Sequence, residues 1–185
     1  MSQTPELRRA DKALSDAEMR ELLTNGFSAR LASVGPDGAP YITPLLYVLD
    51  GAELWVHNAN APGHFRTNVD ADPRVCFEVD EAGEVFPYGR FECDTSVAYR
   101  SVVAFGRIRV AADRAAKERF CRLLMAKYGP DGLDRPKDFF PRLGQITVYA
   151  ITIERITGKR TPLPAVGERW PAQDRSATPN ARPGA

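Results

Sequence analysis

The feature that most constrains this chain is a series of β-branched and aromatic runs, each closed by a tight-turn sequence. Residues 27–34 alternate in part between apolar and polar and end at a Gly-Pro-Asp-Gly turn. Residues 41–49 end at Asp-Gly, and residues 54–58 follow directly. Turns of this kind join antiparallel neighbours. The segment therefore predicts a three-stranded meander.

Three further segments have the composition of strands, namely residues 74–79, 100–110 and 145–157. Residues 81–95 are rich in Gly, Pro and charge, and they are predicted to form a long loop. The count of six strands with hairpin turns favours a mainly β domain with flanking helices. We therefore predict a six-stranded antiparallel barrel rather than a doubly wound parallel sheet.

Capping residues mark two helices. Ser15 followed by Glu18 is a capping-box pattern, which predicts a short amphipathic helix over residues 15–24. Asp113 can cap a second helix that stops at Tyr128. Both helices flank the predicted strands rather than alternating with them.

Charge and cysteine content narrow the function classes. Lys and Arg total 25 against 24 Asp and Glu, so no long-range field favours nucleic acid or a membrane surface as partner. The three cysteines are odd in number and far apart, which suits neither a disulfide framework nor a metal knuckle. Without an apolar leader or membrane span, the sequence predicts a cytoplasmic protein with reduced thiols.

The domain organisation is predicted from length and composition. A chain of 185 residues fits one domain. We expect an N-terminal arm over residues 1–14, the folded domain over residues 15–160 and a Pro-rich C-terminal tail over residues 161–185. Trp170 is an isolated aromatic residue in that tail.

Both histidines, His57 and His64, fall within eight residues at the end of the third predicted strand. Gly63 then opens a short helix, predicted between residues 60 and 72, whose first turn presents free backbone N–H groups. His64 and Arg66 add positive charge there, which suits a phosphate group. The alternative is that these side chains are solvated surface residues. No third histidine or cysteine has the spacing of a metal site.

A second candidate site lies at the start of the fifth predicted strand. Tyr99, Arg100 and Ser101 place hydroxyl and guanidinium groups before an apolar run. Ordinary strand structure explains the same pattern. The chain lacks a Gly-x-Ser-x-Gly elbow and the glycine-rich nucleotide motifs.

The order of four segments resembles the pyridoxamine 5′-phosphate oxidase-like family of FMN-binding split barrels. These segments are residues 41–45, 63–68, 72–79 and 99–106, within a resemblance that covers about residues 15–159. Within that family the chain is most similar to the nitroimidazole-resistance reductases. Their strand end carries a histidine where His57 stands, and their central strand also begins with a Tyr-Arg-Ser-Val sequence.

The resemblance implies a homodimer that binds FMN, with His57 near the flavin ring as proton donor or substrate contact. The cofactor-binding residues that it implies are Ile42, Thr43, Pro44, Leu45, Asn58, Gly63, His64, Phe65, Arg66, Arg100 and Ser101. Many relatives carry Arg-Lys or a lone Lys where this chain has His64-Phe65. Arg66 then supplies the cationic group, and a deazaflavin is an alternative cofactor.

The function implied by the resemblance is that of an FMN-dependent oxidoreductase. It would take reducing equivalents from NAD(P)H or another donor and reduce a small electron-poor molecule such as a nitroaromatic. Oxidation of pyridoxamine phosphate is one alternative. Another is a flavin- or haem-binding protein without turnover.

Overall fold

The structure is a computed structural model that describes residues 7–89, 91–131 and 136–165. In these ranges, three α-helices accompany seven strands. The helices are α1 (Asp16–Asn25), α2 (His64–Ala71) and α3 (Arg114–Tyr128). The strands are β1 (Ala29–Val34), β2 (Pro40–Leu45), β3 (Tyr47–Asp50), β4 (Glu53–Ala59), β5 (Arg74–Pro87), β6 (Thr95–Val110) and β7 (Ile146–Thr161).

The strands form one antiparallel sheet in the order β2-β1-β5-β6-β7-β4-β3. The mainly β class with flanking helices is confirmed, but the described residues hold seven strands instead of six. The predicted strand over residues 41–49 is split at Leu46, because β2 pairs with β1 whereas β3 pairs with β4. One residue spans only about 3.5 Å of chain. The two edges of the sheet therefore meet at Leu46, and the sheet curls as a split barrel does.

The loop predicted over residues 81–95 is wrong in its greater part. β5 continues to Pro87 and β6 begins at Thr95, so the two strands extend as a ribbon in which Val85 pairs with Val97. Such a ribbon is held by backbone hydrogen bonds, which the side-chain pattern does not reveal.

The two faces of the curled sheet differ in what they contact. We call inner the face that carries Leu31, Val56, Phe77, Val102 and Tyr149, all fully buried in the main core. The outer face is the opposite one. Over β3, β4 and β7 it is covered by α3, where Phe120 and Leu124 pack on Val48 and Val148. Burial of these two clusters fixes the curvature of the sheet and the position of α3.

The capping box predicted for α1 is confirmed, with Ser15 as N-cap and Glu18 as the reciprocal partner. Leu14, at the end of the predicted N-terminal arm, is buried, and its backbone N–H donates to the carbonyl of Gly158 at 3.0 Å. Trp170 lies outside the described residues. No helix in the described ranges is both long and apolar enough to cross a membrane.

Candidate functional site

The first turn of α2 presents its backbone N–H groups at the end of β4. Gly63 is the N-cap and has extended backbone, and the N–H of Thr67 donates to the Gly63 carbonyl at 3.0 Å. The N–H groups of residues 64–66 have no acceptor within the helix, as in every helical first turn. With the helix dipole, these groups favour an anion at this position.

Arg66 lies on this first turn and is held in place by Asp70. Its Nε donates to both carboxylate oxygens of Asp70, at 2.9 and 2.8 Å. The pair is an exposed (i, i+4) ion pair, so it contributes a few tenths of a kcal/mol to stability. The hydrogen bond to Asp70 raises the pKa of Arg66, and the hydroxyl of Tyr149 adds to this effect. The guanidinium is thus oriented and charged.

Tyr149 connects α2 to the end of β4. Its ring is fully buried and packs edge-on against Phe65, with centroids 5.1 Å apart. Its hydroxyl donates to the side-chain oxygen of Asn58 at 3.2 Å. Burial raises the pKa of Tyr149, whereas the charge of Arg66 lowers it. The structure therefore brings Asn58, Phe65 and Arg66 together around one tyrosine.

The segment between β4 and α2 is fixed to the start of β7. The hydroxyl of Thr147 donates to Asn60 Oδ1 at 2.8 Å, and the Asn60 amide nitrogen donates to the carbonyl of Gly144 at 3.2 Å. These bonds hold the chain that leads into Gly63. The N-terminus of α2 is consequently positioned by the sheet and not by a free loop.

His64 packs on the side of α2 that faces the β1–β2 turn. Its ring lies 5.5 Å from that of Tyr41, at an angle of 46°. Beside this pair is a cavity of about 660 Å³, lined by residues of the turn and of α2: Gly35, Pro36, Asp37, Ala39, Pro40, Tyr41, His64, Thr67 and Asn68.

His57 does not lie with His64. Successive residues of a strand point to opposite faces, so Asn58 points inward to Tyr149 and His57 points outward to α3. The His57 ring is 5.2 Å from that of Phe120, and its Nδ1 is buried without a hydrogen-bond partner. Burial lowers the pKa of His57, so the neutral imidazole is favoured.

The four β2 residues also divide between the two faces. Thr43 pairs with the buried Leu31 and points inward, and its Oγ1 is buried without a partner. Leu45 packs against the main core. Ile42 and Pro44 point outward, and Ile42 is 62% exposed. Of these four residues, Ile42 and Pro44 are therefore the ones accessible from the outer face.

The two β6 candidates divide in the same way. Arg100 donates to Glu81 at 2.6 Å and to Glu21 of α1 at 3.1 Å. Ser101 points outward, where it borders a cavity of about 200 Å³ together with Phe105 and Lys159. Arg100 and Ser101 thus face different surroundings, and neither touches the first turn of α2 in the contacts described above.

Sequence reasoning missed Tyr149 and Tyr41. Tyr149 lies in an apolar strand, where a tyrosine is an ordinary core residue, and only its inward position beside Thr147 hints at a polar role. Tyr41 is half-exposed on an edge strand, and its contact with His64 depends on how α2 docks. Over the described residues, no group of three or more His, Cys, Asp or Glu side chains could hold a metal ion.

A family model described as pyridoxamine 5′-phosphate oxidase matches residues 15–160 of the chain. No curated protein sequence matches this chain significantly. A crystal structure of a FAD-binding protein from Mesorhizobium loti is 25% identical, with a TM-score of 0.59, over 81% of this chain and 97% of that one.

Two more distant structures share the fold. One is a protein from Bacteroides thetaiotaomicron named for 5-nitroimidazole antibiotic resistance, 15% identical, with a TM-score of 0.65, over 80% of this chain and 86% of that one. The other is a flavocytochrome from Azotobacter vinelandii, 19% identical, with a TM-score of 0.72, over 90% of this chain and 78% of that one. At these identities the likeness is one of fold.

Proposed function

The chain belongs to the pyridoxamine 5′-phosphate oxidase family, and from this premise we propose that it is a flavin-dependent oxidoreductase that reduces a small electron-poor molecule. We propose that the protein binds the FMN moiety, either as FMN itself or within a larger flavin nucleotide. Similarity to a FAD-binding protein and a flavocytochrome supports the flavin. Similarity to a protein named for 5-nitroimidazole resistance supports a nitroaromatic substrate class.

The observation that carries the proposal is the first turn of α2. A flavin phosphate is a dianion, and this turn offers free N–H groups together with the guanidinium of Arg66, which Asp70 orients. Gly63, at the N-cap, leaves the approach open, since no heavy atom lies within 4 Å of where its Cβ would be. Charge-assisted hydrogen bonds of this kind contribute roughly 1.5–3 kcal/mol each.

The outer face of the sheet fits the ring of the flavin and a second copy of the chain. Ile42, Ala32, Cys76 and Phe105 are aligned across β2, β1, β5 and β6 by the strand pairings, so they form one row on that face. A row of exposed and half-exposed apolar side chains favours association. We propose that two copies pair through this face as a homodimer, with Ile42, Pro44 and Ser101 against the flavin ring.

The roles of individual residues follow from their surroundings. Thr43 Oγ1 is a buried polar atom that lacks a partner, but it points to the inner face, opposite the proposed ring site, so its role in cofactor binding stays a prediction. Arg100 already has two carboxylate partners, so its role in cofactor binding stays a prediction. The bound flavin would supply hydride and electron transfer through its own ring, and the protein needs to orient it and exclude water.

His57 is proposed to handle a proton at Nε2. Its Nδ1 is buried without a partner, and an unsatisfied acceptor is less unfavourable than an unsatisfied N–H. The neutral tautomer with the proton on Nε2 is therefore favoured, and burial lowers the pKa, which keeps this form at neutral pH. His57 would donate this proton, or a hydrogen bond, to the reduced substrate.

The test is the visible absorption of the purified protein after flavin is added and the excess is removed. We expect flavin bands at about 370 and 450 nm with about one flavin per chain. NAD(P)H should bleach the bands, and a nitroaromatic should restore them. A colourless protein would contradict the flavin, whereas bound flavin that no donor reduces would favour a binding protein without turnover.

A further inference from the structure

We propose that the N-terminal arm is a latch, which covers the position of the flavin ring at Ser101 and leaves it when the ring binds. This inference rests on the proposed function, because it assumes that a flavin ring meets Ser101 on the outer face. The part of the arm concerned is residues 7–14, and Leu7 is the side chain that it places beside Ser101. The arm is thus a built-in competitor of the cofactor.

The end of the arm next to α1 is anchored to the last part of β7. Leu14 is buried in the main core, and its N–H donates to the carbonyl of Gly158 at 3.0 Å. The ammonium group of Lys12 donates to Thr161 Oγ1 at 2.8 Å. These contacts hold residues 12–14 in place whatever the preceding residues do.

The arm passes around an edge of β7 to reach the outer face. Lys159 pairs with Ser101 of β6 on one side and forms a β-bridge with Ala13, which therefore lies on its other side. On that side β4 pairs with β7 as far as Thr152, so the edge beyond Thr152 is open to the arm. The residues that precede Ala13 turn round this edge onto the outer face.

Leu7, the first described residue, is where the arm contacts the outer face. It is half-buried, whereas residues 8–11 are exposed. Ser101, Val103 and Phe105 line the cavity that Leu7 covers, and they point outward because they alternate along β6 with buried residues of the inner face. One half-buried leucine is a weak contact, so this end of the arm can open at small cost.

The size of the cavity requires Leu7 to move. Its volume is about 200 Å³, below the range of about 300–1,000 Å³ that is usual for small-molecule sites. Among the described residues that line it, Leu7 is the one that lies outside β6 and β7. The two strands are fixed by their backbone pairing, so Leu7 is the wall that can withdraw. Its withdrawal opens the cavity to solvent and lets a flavin ring reach Ser101.

Leu7 and the flavin ring therefore compete for the same surface. The apparent affinity of a protein that binds only in its open form is reduced by the fraction of molecules that is open. Partial burial of a leucine side chain favours the closed form by about three- to tenfold. Because the competition is at the ring and not at the phosphate, it should affect FMN and riboflavin alike.

The experiment is a calorimetric titration of the protein freed of bound cofactor, with FMN and with riboflavin. Leu7→Ser removes the apolar contact of the latch without adding a charge. We expect this variant to bind both ligands about three- to tenfold more tightly than the wild-type protein does. Leu123→Ala is the matched control, since Leu123 is another partly buried leucine, which packs beneath α3. Both affinities should be unchanged in this control.

Trypsin provides a second measurement that does not depend on affinity. Arg8 and Arg9 are exposed cleavage sites within the arm. A ligand that binds the folded state usually protects a protein from proteolysis, whereas release of the arm should speed cleavage at these two sites. FMN should therefore increase the cleavage rate at Arg8 and Arg9 in the wild-type protein. Leu7→Ser without flavin should already be cleaved at the higher rate.

The possible outcomes separate the latch from the flavin site. FMN that binds the wild-type protein without faster cleavage of the arm would overturn the inference alone. So would a Leu7→Ser variant that binds the two flavins with unchanged affinity, or more weakly, since Leu7 would then not compete with the ring. Absence of flavin binding by both the wild-type protein and Leu7→Ser would overturn the proposed function itself.

Discussion

The hydroxyl of Tyr149 donates to Asn58 Oδ1 at 3.2 Å, so the last inward residue of β4 is tied to the middle of β7. The same tyrosine packs on Phe65 and lies beside the guanidinium of Arg66. One buried side chain therefore determines how the first turn of α2 sits on the sheet. Asn58 accepts its hydrogen bond, and Arg66, whose guanidinium is held by Asp70, lies beside it.

Removal of this hydroxyl is the first prediction. Tyr149→Phe keeps the ring packing and should lower the free energy of unfolding by about 1 kcal/mol. Because the hydroxyl lies beside the Arg66 guanidinium, the affinity for FMN should fall severalfold while that for riboflavin, which has no phosphate, stays the same. Calorimetric titration with FMN and with riboflavin measures the ratio of the two affinities.

Tyr128→Phe is the matched control for this variant. The hydroxyl of Tyr128 donates to the carbonyl of Tyr47 at 2.9 Å, remote from α2. Its removal should cost a similar stability and leave the ratio of the two affinities unchanged. An unaltered ratio in Tyr149→Phe as well would show that Tyr149 has only a packing role.

The second prediction concerns the charge on α2. Arg66→Ala should weaken FMN binding by about 10- to 150-fold, as expected for one charge-assisted contact of roughly 1.5–3 kcal/mol. The variant should change stability by less than about 0.5 kcal/mol, because the ion pair that is lost is exposed. Arg114→Ala removes an equivalent (i, i+4) pair with Glu118 on α3. Equal effects of the two variants on FMN binding would contradict a role for Arg66 in binding the phosphate.

Much of the fold follows from local sequence signals. Gly38 and Gly51 have φ of 82° and 62°, and their turn sequences correctly located the first hairpins. Side-chain patterns did not find the β5–β6 ribbon, because a two-stranded extension needs no alternating apolar face. They also did not separate β2 from β3, since the residues on both sides of Leu46 are equally strand-like.

The candidate site was harder to predict than the fold. The phosphate-binding turn could be found from Gly63 and Arg66, because helix N-termini have a local sequence signal. The proximity of His57 and His64 in sequence suggested one site, yet the period-two alternation of β4 and the docking of α3 separate them. Docking of a helix on one face depends on contacts such as that with Phe120, which are distant in sequence.

The third prediction is the titration of His57. Burial lowers its pKa below the usual 6.5, so the unfolded chain takes up a proton at this residue before the folded protein does. Stability from the neutral ring is therefore complete above about pH 6.5 and decreases as the pH falls toward the folded pKa. NMR titration of the ring protons should give a midpoint below 6.5, and His57→Gln should reduce the slope of stability against pH between 6.5 and 5. A midpoint above 6.5 would contradict the buried, neutral ring.

The fourth prediction concerns Lys127 at the end of α3. Its Nζ is buried, lies 3.8 Å from the centroid of the Tyr47 ring, and has its pKa lowered to about 8 by burial. The unfolded lysine holds its proton up to about 10.5, so stability should increase as the pH rises from 8. Lys127→Met should abolish this increase, and at pH 7 it should raise the free energy of unfolding by about 1 kcal/mol. Chemical denaturation at pH 7, 8 and 9 measures both effects, and a parallel pH dependence in the two proteins would contradict the lowered pKa.

The last prediction tests the outer face as the contact between two copies. Ile42→Asp places a charge in the row formed with Ala32, Cys76 and Phe105, where it would be desolvated by a partner copy but not in a monomer, because Ile42 is 62% exposed. Light scattering should therefore give a dimer for the wild-type protein and a monomer for the variant, with thermal unfolding little changed. Met125→Asp alters a side chain that is 49% exposed on α3, away from this row, and should remain dimeric. Because Ile42 is also proposed to meet the flavin ring, flavin affinity should fall in Ile42→Asp and not in Met125→Asp. A wild-type protein that is monomeric and still binds one flavin per chain would show that the cofactor site does not need a dimer contact.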